Sequence, residues 1–243
     1  MRMHYLCVIA WLWTSSWVQG QVVVRSSQDS TAPGYQEALS LYRKATAESQ
    51  HLYNGSRYFF YDKRAKTHPF FETENWEEGT VHYDGLLHES IPMVYDILKD
   101  QVVIKHIRGY GNVQLNRDRV KYFRMLDHTF VWLQAEQNVG IRTGFHDLLY
   151  DGETKVWARR IKDRQERIDN MVVVVEFNAK NTYYLQQGGT FRVIHSKKAF
   201  LNLLADQKKP LKRYLRQQKI NYRQDRENAL VKMTAYYDQL VRP

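Results

Sequence analysis

Short turn sequences recur between runs of β-forming residues from 80 to 195, and they constrain the fold more than any other feature of the chain. Asp84-Gly85 and Asp151-Gly152 each separate two such runs, and Asp-Gly is typical of the two-residue type I′ hairpin. The pattern predicts about ten strands and no helix-length crossover, which favours an antiparallel meander over a parallel sheet. Further turns are predicted at Lys99-Asp100, Asp127-His128 and Gly188-Gly189.

Several predicted strands carry apolar residues on both faces, as Val102-Val103-Ile104 does. Because a strand with one solvated face would alternate, these runs indicate a sheet that is covered. We therefore predict a mainly β, α+β fold in which helices cover a curved sheet or partial barrel. Apolar residues at helical spacing predict an N-terminal helix over 35–50, and this helix and the meander form one domain over 35–195. A flexible lead-in over 21–34 precedes it.

The first twenty residues have the pattern of a cleaved secretory signal peptide. Arg2 supplies a positive charge, Tyr5–Trp13 is apolar, and Val18-Gln19-Gly20 offers a small-residue cleavage site. An N-terminal membrane anchor is the alternative, but the apolar stretch is much shorter than the about 20 residues that span a bilayer. Cleavage would remove Cys7, the only cysteine of the chain, which argues against a disulfide framework and a cysteine nucleophile.

The C-terminal segment 196–243 is predicted to be helical and carries most of the positive charge. It holds twelve lysines and arginines against four aspartates and glutamates, while the whole chain has a formal net charge of +10. Three uses of this charge are open: nucleic-acid binding, contact with an anionic lipid surface or an acidic envelope partner, and a solvated face that keeps the protein soluble. Export argues against nucleic acid. The candidate contact residues are Lys208, Lys209, Lys212, Arg213, Arg216 and Lys219.

Aromatic residues cluster between 53 and 76, before the predicted meander. Such a cluster can line a groove for a ligand, or it can form the core where the first helix meets the sheet. Both interpretations stay open, although aromatic residues are more often part of a core. The candidate ligand-binding residues are Tyr58, Phe60, Phe71 and Trp76.

Two histidines flank the predicted Asp84-Gly85 hairpin. His82 and His88 could approach each other across it, and imidazole together with the Glu89 carboxylate suits a divalent metal ion. The alternative is that Asp84 serves the turn and both histidines lie on a solvated face. A metal-assisted hydrolase at His82 and His88 is therefore kept only as a minor possibility.

Aromatic and turn motifs recur along the chain: Tyr53-Asn54-Gly55, His68-Pro69-Phe70-Phe71, Trp76, Tyr83-Asp84-Gly85, Tyr95-Asp96-Ile97 and Asp100. Together with the basic tail Lys197–Tyr237, this set resembles a group of exported proteins of Bacteroidota, and the resemblance covers about residues 50–240. It implies a location in the envelope of a Gram-negative bacterium, in the periplasm or at the outer membrane, and it implies no particular activity.

Catalytic motifs are missing from the sequence. It contains no GxxxxGK[ST], GxGxxG, GxSxG or HExxH. The pairs Asp127-His128 and His146-Asp147 are neighbours along a strand, and such side chains point to opposite faces. We therefore expect a non-enzymatic envelope protein with a binding or assembly role, without a cofactor and without a transmembrane helix after signal cleavage. The helix-then-meander order is also similar to periplasmic lipid carriers with an open half-barrel, so a carrier of a hydrophobic ligand is the alternative.

Overall fold

The computed structural model of the chain describes residues 34–35, 37–38, 41, 51–59 and 65–242. The chain divides into two units, Met1–Ala45 and Thr46–Pro243. In the first unit the described residues are all helical, as predicted from residue 35 onward. The predicted signal peptide 1–20, nearly all of the lead-in 21–34 and the remainder of the predicted helix lie outside the described residues.

The second unit contains one antiparallel sheet of eleven strands, which confirms the predicted mainly β fold. The sheet is open, and its strand order is β1-β5-β4-β3-β2-β6-β7-β8-β9-β10-β11. The strands are β1 (Ser56–Tyr58), β2 (Glu77–Tyr83), β3 (Leu86–Asp96), β4 (Gln101–Lys105), β5 (Asn112–Gln114), β6 (Val120–Met125), β7 (His128–Leu133), β8 (Gly144–Asp151), β9 (Lys155–Asp169), β10 (Val172–Gln187) and β11 (Thr190–Ile194).

The strand order departs from a simple meander at two points: β1 pairs with β5 at the edge of the sheet, and β6 pairs with β2. Strands β2 to β5 lie side by side in chain order, and the chain then returns through the 3-10 helix Arg117–Arg119 to the other edge of β2. There Val120 of β6 pairs with Tyr83. This return leaves β2 hydrogen-bonded on both sides, and the meander resumes from β6 to β11.

Two of the five predicted turns, Asp84-Gly85 and Gly188-Gly189, agree with the backbone. Asp84 and Gly85 have φ of 51° and 82°, as a type I′ turn requires. The turn predicted at Asp127-His128 is wrong by one residue, because Met125 pairs with His128 and Leu126-Asp127 forms the turn. Lys99-Asp100 is the second half of a four-residue loop, because Asp96 pairs with Gln101.

The two-residue turn at Asp151-Gly152 is wrong, because Asp151 pairs with Lys155 and three residues form the loop. A Cβ on Gly152 would lie 2.3 Å from Asp238 Oδ2, so this glycine makes room for a carboxylate from the C-terminal helix.

The segment after the sheet is helical, as predicted, and forms three helices: α1 (Lys197–Leu203), α2 (Lys208–Gln217) and α3 (Arg226–Val241). Ser196 caps the start of α1, where its hydroxyl accepts a hydrogen bond from Ala199 N at 3.2 Å. Asp238, near the end of α3, accepts hydrogen bonds from Thr154 N and the Tyr150 hydroxyl. Among the described residues, no helix is long and apolar enough to cross a membrane.

The helices pack on the sheet through an apolar core. Side chains of all three helices meet side chains of β9, β10 and β11. The core residues with no exposed surface are Val156, Ala158, Leu185, Phe200, Leu204, Leu211, Leu230 and Met233.

Candidate functional site

A groove of about 800 Å³ lies between the start of α1 and the loop that joins α2 to α3. We call it the cationic groove, because six of its twelve lining residues are lysines or arginines and none is an aspartate or glutamate. Its lining residues are His195, Ser196, Lys197, Lys198, Leu215, Arg216, Lys219, Ile220, Asn221, Tyr222, Arg223 and Arg226.

Arg226 is the cation of the groove whose position is fixed by contacts with other described residues. Its guanidinium lies 4.5 Å from the centroid of the Tyr183 ring and donates to the carbonyl of Ile194 and the hydroxyl of Tyr222. These contacts fix one positive charge at the wall of the groove while leaving it without a carboxylate partner among the described residues. Stacking of this kind suits a guanidinium better than an ammonium group.

The other five cations are exposed and lack carboxylate partners. Within residues 51–59 and 65–242, none of them forms an ion pair, although other arginines and lysines of the same unit do. Like charges in one groove repel each other, and an anion that enters it relieves this repulsion. The five are Lys197, Lys198, Arg216, Lys219 and Arg223.

The groove takes in only part of the basic cluster expected from the sequence. Arg216 and Lys219 line it, whereas the candidate residues Lys208, Lys209, Lys212 and Arg213 do not. The groove cations that the sequence did not single out are Lys197 and Lys198 at the start of α1, Arg223 before α3 and Arg226 as its first residue. Lys197 and Lys198 lie far from Arg216 along the chain. Arg223 and Arg226 lie close to Lys219, but nothing in the sequence shows that this stretch and α1 line one groove.

The predicted aromatic cluster does not form a single groove. Phe71 lies in the main core beside Phe130, while Tyr58 belongs to a separate small cluster with Phe70 and the half-buried Trp76. The Tyr58 hydroxyl donates to Asp96 Oδ2 at 2.7 Å. These contacts favour the core interpretation for the described residues, and the candidate Phe60 lies outside them.

The register of β2 and β3 separates the two histidines of the metal hypothesis. His82 lies opposite Leu87, whereas His88 lies opposite Val81, so the two imidazoles project from opposite faces of the sheet. Among the described residues, no group of three His, Cys, Asp or Glu side chains could hold a metal ion. The expectation that His82 and His88 meet across the hairpin is therefore wrong.

A buried charge network joins the sheet to α3. Asp147 and Arg160 are 1% and 5% exposed, and the guanidinium of Arg160 donates two hydrogen bonds to Asp147 Oδ2, at 2.6 and 3.0 Å. The same guanidinium binds both carboxylate oxygens of Glu227, which also accepts from the Tyr183 hydroxyl. Burial acts to lower the pKa of Arg160, but the two carboxylates outweigh burial and raise it.

His128 completes this network at its partly exposed end. Its Nδ1 lies 2.8 Å from Asp147 Oδ2, and this hydrogen bond raises the pKa of His128 although burial opposes the change. His128 and Asp147 are not neighbours in the sequence, where His128 follows Asp127 and Asp147 follows His146. A His-Asp pair can activate a nucleophile through Nε2, but here Nε2 lies 3.7 Å from the Glu72 carboxylate. The geometry therefore fits a structural ion network better than a catalytic one.

Comparison with known proteins adds no function to this geometry: no family model, no curated protein and no solved structure matches the chain.

Proposed function

We propose that the protein is a non-enzymatic binding protein of the cell envelope and that it holds an anionic ligand in the cationic groove. The observation that carries the proposal is the set of six lysines and arginines around a groove without a carboxylate. Each exposed cation contributes about 0–1 kcal/mol to a contact with an anionic oxygen, so the binding energy has to come from several of these cations together.

The apolar residues that line the groove indicate which kind of anion it would bind. Leu215 and Ile220 line it together with the ring of Tyr222, so apolar surface lies between the charged side chains. Such a lining suits a phosphate, sulfate or carboxylate group attached to an apolar body rather than a free inorganic ion. Because the groove is open to solvent, part of a larger ligand can remain outside it.

The test compares two double substitutions, on α2 and in the turn directly after it, that remove the same charge. Arg216→Gln/Lys219→Gln changes the groove, and Lys212→Gln/Arg213→Gln changes the neighbouring exposed surface outside it. The probe is hexyl phosphate, titrated calorimetrically at low and at physiological salt. We expect the groove variant to bind at least about tenfold more weakly, which is about 1.4 kcal/mol, and the control variant to bind nearly as well as the original protein.

Two results would contradict the binding proposal: equal weakening by both variants, or no heat of binding for the original protein at low salt. Equal weakening would mean that the probe senses only the net charge of the segment. The envelope location rests on the predicted signal peptide and is tested separately, by fractionation of cells that express the full chain.

A further inference from the structure

The hairpin of β9 and β10 extends far beyond its neighbours in the sheet. Strand β8 pairs with β9 only as far as Ala158, and β11 pairs with β10 only from Tyr183 onward. Eleven further residue pairs continue the hairpin, from Arg159 opposite Thr182 to Asp169 opposite Val172. The hairpin therefore leaves the sheet as a two-stranded ribbon, and a ribbon of this kind has little stability of its own.

The ribbon is supported along part of its length only. Residues 65–67 run beside β10, where Ala65 bridges to Val175 and the Thr67 hydroxyl exchanges hydrogen bonds with the backbone of Phe177. Lys162 contributes a second support, because its ammonium donates to the carbonyls of His68 and Phe70. We call the part beyond these contacts, residues 167–173, the ribbon tip.

The ribbon tip exposes four apolar side chains around its turn. Met171 is 98% exposed at the turn, and Ile168 and Val172 beside it are 79% and 61% exposed. Val173, 38% exposed, lies opposite Ile168 on one face of the ribbon, whereas Val172 lies on the other face, opposite the exposed carboxylate of Asp169. Isolated apolar residues are common on protein surfaces, but a group at the end of a projecting element marks a contact site.

We propose that the ribbon tip inserts these side chains into the boundary between headgroups and acyl chains of a lipid bilayer. The size of the tip argues for lipid over protein. A stable protein interface buries about 800 Å² on each partner, and four side chains at the end of a slender ribbon fall well short of that area. A bilayer needs no matching surface, and each apolar side chain that enters it gains free energy independently.

The charges of the ribbon also favour a lipid bilayer over a charged partner. Arg167 pairs with Glu176 at 3.1 Å, Lys180 pairs with Asp163 at 3.5 Å, and Arg164 pairs with Glu166. Residues 161–180 carry four cations and four anions, so the ribbon has no net formal charge to offer to a partner of either sign. Asp169, opposite Val172, is an exposed carboxylate of the tip and has to stay among the headgroups while the apolar side chains enter. Insertion is therefore driven by the apolar tip and does not require anionic lipid.

The ribbon tip is remote from the cationic groove. Met171 lies twelve residues along β10 from Tyr183, on which Arg226 stacks, and this is about 40 Å of extended strand. Such a separation exceeds the screening length of about 8 Å at physiological salt. Membrane insertion and ligand binding can thus succeed or fail independently in an experiment.

Flotation with phosphatidylcholine vesicles tests the proposal, using protein isolated from cells that export it. Met171→Asp/Val172→Asp alters the ribbon tip, and Leu86→Asp/Leu87→Asp is the matched control at another exposed hairpin turn, where the two leucines are 65% and 44% exposed. We expect the original protein and the control to float at 0.5 M salt as well as at 0.1 M, and the tip variant to partition at least tenfold more weakly. Circular dichroism and thermal melting verify that each variant is folded.

Three outcomes would overturn the proposal. The first is that the original protein fails to float on these neutral vesicles. The second is that the tip variant, shown to be folded, floats as well as the control. The third is a concentration-dependent dimer in sedimentation velocity without lipid that the tip substitutions abolish, because the occupant would then be a second copy of the chain.

Discussion

Two arginine ion pairs on the same hairpin show how differently its two halves are built. Arg160, near the sheet, is 5% exposed and binds Asp147 and Glu227. Arg167, only seven residues further along β9, is 57% exposed and binds Glu176 across the ribbon. The strands and the pairing register are continuous between them, so the difference comes from what covers each half.

This difference in cover changes what an ion pair does for stability. The near half is enclosed by β8 and by α3, which supplies Glu227, and its charges are removed from water. In the distal half Val174, Val175 and Phe177 are buried. The charged side chains of Arg167 and Glu176 nevertheless reach solvent, which screens their charges and competes for their hydrogen bonds. A buried pair is costly to break because the remaining charge is left unpaired, whereas an exposed pair contributes about 0–1 kcal/mol.

Removing each arginine in turn is the strongest test of this comparison. Arg160→Ala leaves Asp147 buried without its cation, and we expect the free energy of unfolding to fall by about 3–5 kcal/mol. Arg167→Ala is the matched control on the same strand and should cost less than about 1 kcal/mol. Urea denaturation followed by circular dichroism measures both. Equal losses would mean that the network around Arg160 is not buried in solution.

The same contrast explains which features could be predicted from the sequence. Asp84-Gly85 was predicted correctly because these residues readily adopt the φ values that the turn needs. The turn at Asn170-Met171, with φ of 49° and 65°, is not predicted from the sequence because methionine is not typical of such a conformation. The ribbon that ends there is consequently not predicted either, although the apolar run Met171–Val175 is by itself typical of a strand.

The remaining features that could not be predicted from the sequence depend on contacts between distant segments. The loop at Gly152 is shaped by Asp238, which lies 86 positions later in the chain. Phe130 of β7 lies opposite Asp147 of β8, so His128, two residues before Phe130, is a diagonal neighbour of Asp147. This register cannot be predicted from the sequence because a loop of irregular structure joins the two strands. In the same way, Arg226 joins the cationic groove only through its contacts with Tyr183 and Ile194.

A histidine on β8 provides a test by pH within the covered part of the sheet. Burial lowers the pKa of His146 to about 4, and its Nδ1 lies 2.9 Å from the carbonyl of Gly144. The unfolded chain takes up this proton below pH 6.5 and the folded chain does not, so stability falls between pH 6.5 and about 4, by about 3 kcal/mol from this residue. In His146→Asn this dependence of the unfolding free energy on pH should disappear, while the exposed control His195→Asn should retain it. If His146→Asn depends on pH as the original protein does, the ring of His146 is not buried.

His128 should show the opposite dependence, although it belongs to the same part of the sheet. Its pKa is raised by the hydrogen bond to Asp147, with Glu72 adding to the rise and Arg160 opposing it. Protonated His128 therefore stabilises the fold: its contribution is complete below pH 6.5 and is lost as the pH rises through its folded-state pKa. We expect His128→Asn to cost more stability at pH 6 than at pH 9, by less than the effect of His146, because Arg160 opposes the proton and the side chain is 23% exposed. Urea denaturation at the two pH values measures this difference. A larger cost at pH 9 would mean that the neutral imidazole is the form that the network stabilises, and that Arg160 rather than Asp147 dominates the environment of His128.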